Sequence, residues 1–136
     1  MKIFYSTRAT ATGGRTGRTA LDDGTLALDL ASPGTDKTGA NPEQLFAMGY
    51  AACFDSALQG VAQKMKLTGL TSRTSAQVGI GMLPTGGYGL DIDMTVVLTG
   101  TDQTTAEQLI EATHQVCPYS NATRGNVDVR LHVSVE

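Results

Sequence analysis

Cys53 and Cys117 are the only two cysteines in the 136-residue chain, and each sits where sulfur chemistry is feasible. Cys53 lies in the apolar, helix-like run Phe46-Ala47-Met48-Gly49-Tyr50-Ala51-Ala52-Cys53-Phe54. Cys117 ends a second helix-like run and opens the segment Cys117-Pro118-Tyr119-Ser120-Asn121. With no third thiol and no adjacent partner for either, the arrangement suits a long-range redox pair better than a metal site or a local dithiol loop. The plain alternative for each is a small buried hydrophobe, a common role for a free cysteine.

A thiol attacks as its thiolate, and an ordinary cysteine, with a pKa of ~8.5, is mostly protonated at neutral pH. Burial raises that value further. Cys53 sits in mid-run, and the helix dipole acts mainly on the first and last turns, so an external cation is needed. Only ten Lys and Arg residues are available. Arg15, in the glycine-rich stretch Gly13-Gly14-Arg15-Thr16-Gly17-Arg18, is the first candidate, ahead of Arg18; the alternative is an exposed turn arginine. Glu43 is the natural group to aim such an arginine, because a carboxylate holds a guanidinium through two parallel hydrogen bonds. It can also be simply a charge at the positive end of a helix.

The spacing of Glu43 and Cys53 adds a constraint. Ten residues along one straight helix correspond to a rise of ~15 Å and an offset of ~80° from the same face. One guanidinium cannot easily serve both. Either the helix is interrupted between them, or a second copy of the chain brings its Arg15 and Glu43 beside Cys53.

A metal site is a weaker reading. His114 and Cys117 have the i, i+3 spacing of one helical face, and Cys53 and His132 would complete a tetrahedral set. Only one local ligand pair exists, however, and His132 alternates outward from a strand. His114 reads as a polar helix-surface residue. No resident cofactor or metal is expected.

The elements that must position these residues follow from periodicity. Ile3 to Thr12 alternates and reads as a strand. A short strand near Arg18–Leu21 and another over Leu26–Leu30 follow the glycine-rich turn. Asn41-Pro42-Glu43-Gln44 is a helix start, with Asn41 as cap, Pro42 at the first helical position and Gln44 as capping-box partner. Helical spacing continues to Lys66, and the early part is apolar nearly all round, as in a helix buried on most sides. Ala76–Met82 and Leu90–Leu98 alternate around Pro84-Thr85-Gly86-Gly87, predicting a hairpin with one buried face. Thr104 and Glu107 are placed to form a capping box for a second helix, with Ala106, Leu109, Ile110, Thr113 and Val116 on its inner stripe. Val127–Val135 alternates as a last strand. Together these predict a single α+β domain over residues 1–136, with antiparallel sheets packed around two main helices.

Composition limits the function classes. A net charge of −3 with no Lys/Arg cluster argues against nucleic acid. No run of ~20 apolar residues suggests a membrane span, and the first residues do not read as a signal peptide. A cytoplasmic protein is the expectation, where a cycling disulfide is allowed but a static one is not favoured. Charged residues are 17% of the chain, against a usual ~25%. A surface that poor in charge hints at a covering partner chain.

The glycine-rich stretch around Arg15, the run from Asn41 to Phe54 and the run His114-Gln115-Val116-Cys117-Pro118-Tyr119-Ser120-Asn121-Ala122-Thr123-Arg124-Gly125-Asn126 closely resemble, in order, the organic hydroperoxide resistance (Ohr) branch of the OsmC/Ohr family. The resemblance implies an OsmC-like fold in an intertwined homodimer and a thiol peroxidase that reduces organic hydroperoxides, fatty-acyl peroxides included, to alcohols. It implies a peroxidatic role for Cys53, a resolving role for Cys117, a catalytic arginine in Arg15 and its paired glutamate in Glu43. The implied co-substrate is a dihydrolipoamide-type dithiol carried on lipoylated proteins. Phe46, Met48, Phe54 and Tyr119 are candidates to line an alkyl pocket, with core packing as the alternative for each. A redox sensor that switches a partner, and a structural dimer with inert thiols, are the competing classes. No readout module for a sensor is visible.

Overall fold

The computed structural model describes all residues, Met1–Glu136. The chain divides into two compact units, Met1–Leu45 and Phe46–Glu136.

In the first unit, β1 (Ala9–Thr12), β2 (Arg18–Leu21) and β3 (Ala27–Asp29) form an antiparallel sheet in the order β1-β2-β3. The strand expected over Ile3–Thr12 is shorter than its alternation predicts. Only Ala9–Thr12 finds a partner, opposite Arg18–Leu21, while Ile3, Phe4 and Tyr5 are exposed. Alternation shows that a segment can be a strand; a ladder also needs a neighbour, and in this chain Arg8 makes only one such contact, its carbonyl accepting from the Asp22 amide at 2.9 Å, with no backbone partner for residues 1–7. Between β1 and β2, Gly14–Thr16 form one 3₁₀ turn. Gly13 enters it at φ 76°, and a Cβ at Gly17 would stand 1.9 Å from the carbonyl oxygen of Thr12. Only glycine lets the chain fold back this tightly.

Helix α1 (Pro42–Lys64) opens with the expected reciprocal box. The Gln44 amide donates to Asn41 Oδ1 and the Asn41 amide donates to Gln44 Oε1, both at 2.9 Å. The helix runs unbroken to Lys64. An interruption between Glu43 and Cys53, one of the two alternatives raised by their spacing, is therefore ruled out.

The second unit is built on β4 (Thr71–Met82), β5 (Tyr88–Thr99) and β6 (Val129–Val135), in the order β4-β5-β6. β4 and β5 are the expected hairpin, turned by Gly86 and Gly87, both at positive φ. β6 pairs parallel to β5, from Ile92 opposite Val129 to Leu98 opposite Val135. Antiparallel sheets were expected; the first sheet and the β4–β5 pair are antiparallel, and β6 makes the second sheet mixed. A parallel neighbour needs a long crossover, and α2 (Gln103–Val116) with α3 (Pro118–Thr123) supplies it. Helix α2 is capped by Asp102, whose carboxylate accepts from the Thr105 amide at 2.9 Å. The expected Thr104/Glu107 box does not form, because the carboxylate two residues earlier takes the cap and Glu107 accepts from the Gln103 side chain instead. The core lies on one face of the sheet, where Ile92, Met94, Val96 and Leu98 meet Tyr50, Phe54 and Leu58 of α1 and Ala106, Leu109 and Ile110 of α2. The architecture is α+β.

Candidate active site

Cys117 is placed by a helix that cannot continue. Pro118 has no amide hydrogen to donate and disfavours helical dihedrals in the residue before it. Accordingly α2 stops at Val116, and Cys117 adopts φ −64°, ψ 124°. Pro118 then starts α3 at its first position, where its missing hydrogen costs nothing. The bend turns the Cys117 sulfur inward, where the residue is fully buried. There it meets Cys53 of α1, half-buried, at an Sγ–Sγ distance of 3.8 Å. Both cysteines are free thiols. A disulfide requires ~2.05 Å, so bonding would need the sulfurs to close the gap.

Burial pushes the Cys53 thiol above its ordinary pKa; the Tyr119 backbone amide acts against that rise, and the Cys117 sulfur adds to it. A Cys117 thiol donating its own S–H would favour a Cys53 thiolate, so the direction that stands is the upward one set by burial. No cation of residues 46–136 is among the groups that move Cys53. A thiolate at Cys53 would have to overcome that rise.

The first unit holds an arginine whose orientation is fixed. Arg15 Nη1 donates to Glu43 Oε2 at 2.8 Å and Nη2 donates to Oε1 at 2.6 Å. This fork-to-fork pair fixes the plane of the guanidinium. Arg15 sits in the glycine-bounded 3₁₀ turn and Glu43 in the first turn of α1. The Glu43 side chain is only 12% exposed and that of Arg15 44%. The arginine's hydrogen bond lowers the Glu43 pKa, and the same bond raises that of Arg15.

Cys53 opens onto a cleft of ≈ 410 Å³, lined also by Ala57, Gly60, Val61, Lys64, Val116 and Pro118. A second cleft, of ≈ 380 Å³, is lined by Phe46, Leu90, Tyr119, Ala122 and Val127 among others. The Phe46 and Tyr119 rings stand 5.9 Å apart. Tyr119 lies so close to α1 that a Cβ at Gly49 would come within 2.9 Å of its hydroxyl oxygen. Of the four candidate pocket residues, Phe46 and Tyr119 share this cleft. Met48 is exposed on α1, and Phe54 belongs to the core, where its ring packs with no access to solvent.

The two histidines are not gathered around the thiols as a metal set. His132 bonds Asp93 at 2.7 Å on the sheet. His114 is half-buried rather than on the surface as its sequence position suggested, and its Nδ1 is sealed without a partner. Burial, helped by the Arg124 charge, lowers its pKa and keeps it neutral. Sequence reasoning also missed a buried hydroxyl cluster of Tyr50, Ser120 and Thr123. The available signals were a tyrosine inside an apolar helical run and a Ser-x-x-Thr spacing just after Pro118.

The sequence profile of the OsmC-like protein family matches residues 34–132. An organic hydroperoxide resistance protein of Xanthomonas axonopodis pv. citri is 48% identical over 136 residues, covering 96% of this chain and 94% of the relative. The crystal structure of an organic hydroperoxide resistance protein from Elizabethkingia anophelis, with thiocyanate bound, superposes with a TM-score of 0.94 at 47% identity and covers 100% of both chains. That of OhrB of Bacillus subtilis superposes at 0.91 with 40% identity, covering 97% of this chain and 100% of that one. With its thiol pair at a helix break and its fold in common with these structures, the chain belongs to the OsmC-like protein family.

Proposed function

We propose that the protein protects against organic hydroperoxides as a cysteine-based thiol peroxidase. The observation that carries this reading is the 3.8 Å approach of the two sulfurs, one at a cleft and one buried behind it. The close relatives named for organic hydroperoxide resistance support it.

In the proposed cycle the Cys53 thiolate attacks the distal oxygen of ROOH. The O–O bond breaks, Cys53 becomes a sulfenic acid, and the alkoxide leaves and takes up a proton to give ROH. The Cys117 thiol then condenses with the sulfenic acid, forming the S–S bond and releasing water. A dithiol of the dihydrolipoamide type, supplied by a lipoylated protein, exchanges with the disulfide and restores both thiols. Arg15, oriented by Glu43, supplies the positive charge that stabilises the Cys53 thiolate. With α1 unbroken, that pair is contributed by a second copy in a homodimer. The exposed Ile3, Phe4, Tyr5, Met48, Met82 and Tyr88 are the apolar surface such a partner would cover. No helix is long and apolar enough to cross a membrane, and a cytoplasmic location is part of the proposal.

The test is turnover of cumene or tert-butyl hydroperoxide with a lipoyl dithiol as reductant. Multiple turnovers, with organic peroxide preferred to hydrogen peroxide, are expected. Oxidation of one equivalent without turnover would favour the redox sensor, and no oxidation of Cys53 would leave the thiols as structural residues.

A further inference from the structure

Two polar contacts join the same two segments of the second unit, one helical turn apart. Tyr50 and Cys53 are three residues apart on α1; Cys117 and Ser120 are three apart across the break into α3. Residues at that spacing share a helical face. On one level the sulfurs stand 3.8 Å apart. On the next, the Tyr50 hydroxyl is 2.9 Å from Ser120 Oγ and 3.4 Å from Thr123 Oγ1. Thr123 also donates to the Ser120 carbonyl at 3.1 Å. Tyr50 and Ser120 are 0% exposed and Thr123 is 6% exposed.

Three hydroxyls in a core need a reason. Burying each costs free energy unless it is bonded, and phenylalanine, alanine and valine would fill the same space. Apolar packing alone tolerates sliding of one helix on another, whereas a hydroxyl pair at 2.9 Å loses its bond if the helices shift by about 1 Å. A satisfied buried network selects one arrangement. The reaction that needs one arrangement is adjacent: intramolecular resolution depends steeply on geometry, and a misplacement of ~1 Å can cost about a hundredfold in rate.

We propose that Tyr50, Ser120 and Thr123 are positioning residues, a hydroxyl lock that holds α3 in register on α1 so that Cys117 captures the Cys53 sulfenic acid before a second peroxide does. This rests on the thiol-peroxidase reading. In the competing reaction the sulfenic acid takes one oxygen from a second ROOH, giving the sulfinic acid and ROH. Capture is first-order, while over-oxidation grows with peroxide concentration. The lock therefore sets the peroxide concentration at which the enzyme is lost.

Tyr50→Phe keeps the ring and removes the hydroxyl, Ser120→Ala removes its partner, and Ser120→Thr restores an oxygen. The rate at which the reduced protein consumes its first equivalent of cumene hydroperoxide should not change in any of them. The peroxide concentration that converts half of Cys53 to sulfinic acid, read by mass spectrometry, should fall roughly tenfold or more in Tyr50→Phe and Ser120→Ala. It should recover in Ser120→Thr. Should either of the first two fail to fold, Thr123→Val takes its place with the same expectation. Folded variants that over-oxidise at the wild-type concentration would overturn the lock. A wild type whose Cys53 is not oxidised by cumene hydroperoxide sinks the peroxidase reading instead. In that event the Cys53–Cys117 disulfide formed by exchange with oxidised glutathione still tests the lock, which requires Tyr50→Phe to shift that equilibrium roughly tenfold toward the dithiol; no shift overturns it.

Discussion

Arg15 and Glu43 are joined by two parallel hydrogen bonds, at 2.8 and 2.6 Å, across 28 residues of sequence. A single bond would leave the guanidinium free to swing; two define its plane and leave its remaining N–H groups directed outward. Glycines at 13, 14 and 17 let the turn carrying Arg15 close this tightly. Under the proposed mechanism this is the cation that opposes the effect of burial on Cys53.

Arg15→Ala should therefore raise the pH midpoint of Cys53 alkylation and slow the first oxidation. A charge-assisted hydrogen bond is worth roughly 1.5–3 kcal/mol, so the rate should fall by about ten- to a hundredfold. Arg15→Lys keeps the charge but loses the fork, and should fall between wild type and alanine. An alkylation profile unchanged in Arg15→Ala would place the activating cation elsewhere.

Acid should open the clamp. The Glu43 pKa is lowered in the folded protein by the Arg15 hydrogen bond. Its contribution is then fully present above the unfolded-state value of about 4.3 and is lost as pH falls through the lower folded value. Activity, which Cys53 protonation already lowers as pH falls, should drop more steeply and reversibly across that acid window while far-UV circular dichroism is retained. Glu43→Gln should be less active at neutral pH and lack this acid limb; an identical limb in the variant would assign it to another group.

Removing either sulfur should stop the cycle at a different step. Cys53→Ser should consume no peroxide. Cys117→Ser should accept one oxygen and then stall or over-oxidise, visible as added oxygen in the intact mass. Normal multiple turnover by Cys117→Ser would show that another thiol resolves the intermediate.

Asp55, two residues beyond Cys53, ties α1 to β4 by accepting from Ser72 Oγ at 2.7 Å and Thr74 Oγ1 at 2.9 Å. Asp55→Ala leaves both hydroxyls without that acceptor in a part-buried position. It should cost about 1–3 kcal/mol of stability, measured as a lower denaturant midpoint with an unchanged slope. An unaltered midpoint would mean that water replaces the carboxylate at no cost.

Much of the local design is legible in the chain. Asn41 and Gln44 announce the start of α1 because a capping box uses only neighbouring residues. Pro118 announces the end of α2 because the missing amide hydrogen acts on the preceding turn. Gly86 and Gly87 mark the hairpin for the same reason, a local backbone requirement. The pairing of Arg15 with Glu43 was inferable from chemistry, since a carboxylate at the start of a helix can hold a guanidinium through two parallel hydrogen bonds.

The chain therefore announces most of its helices, strands and turns and the side chains that can react. The packing of those elements is settled elsewhere. β6 runs parallel to β5 rather than antiparallel, and Ile3–Tyr5 find no ladder. Packing also set Tyr50 against Ser120 one turn from Cys53 and Cys117. Periodicity and capping are settled by interactions within a few residues. Strand direction, partner choice and the meeting of two sulfurs 64 residues apart depend on how whole elements pack, and a local pattern carries no record of that.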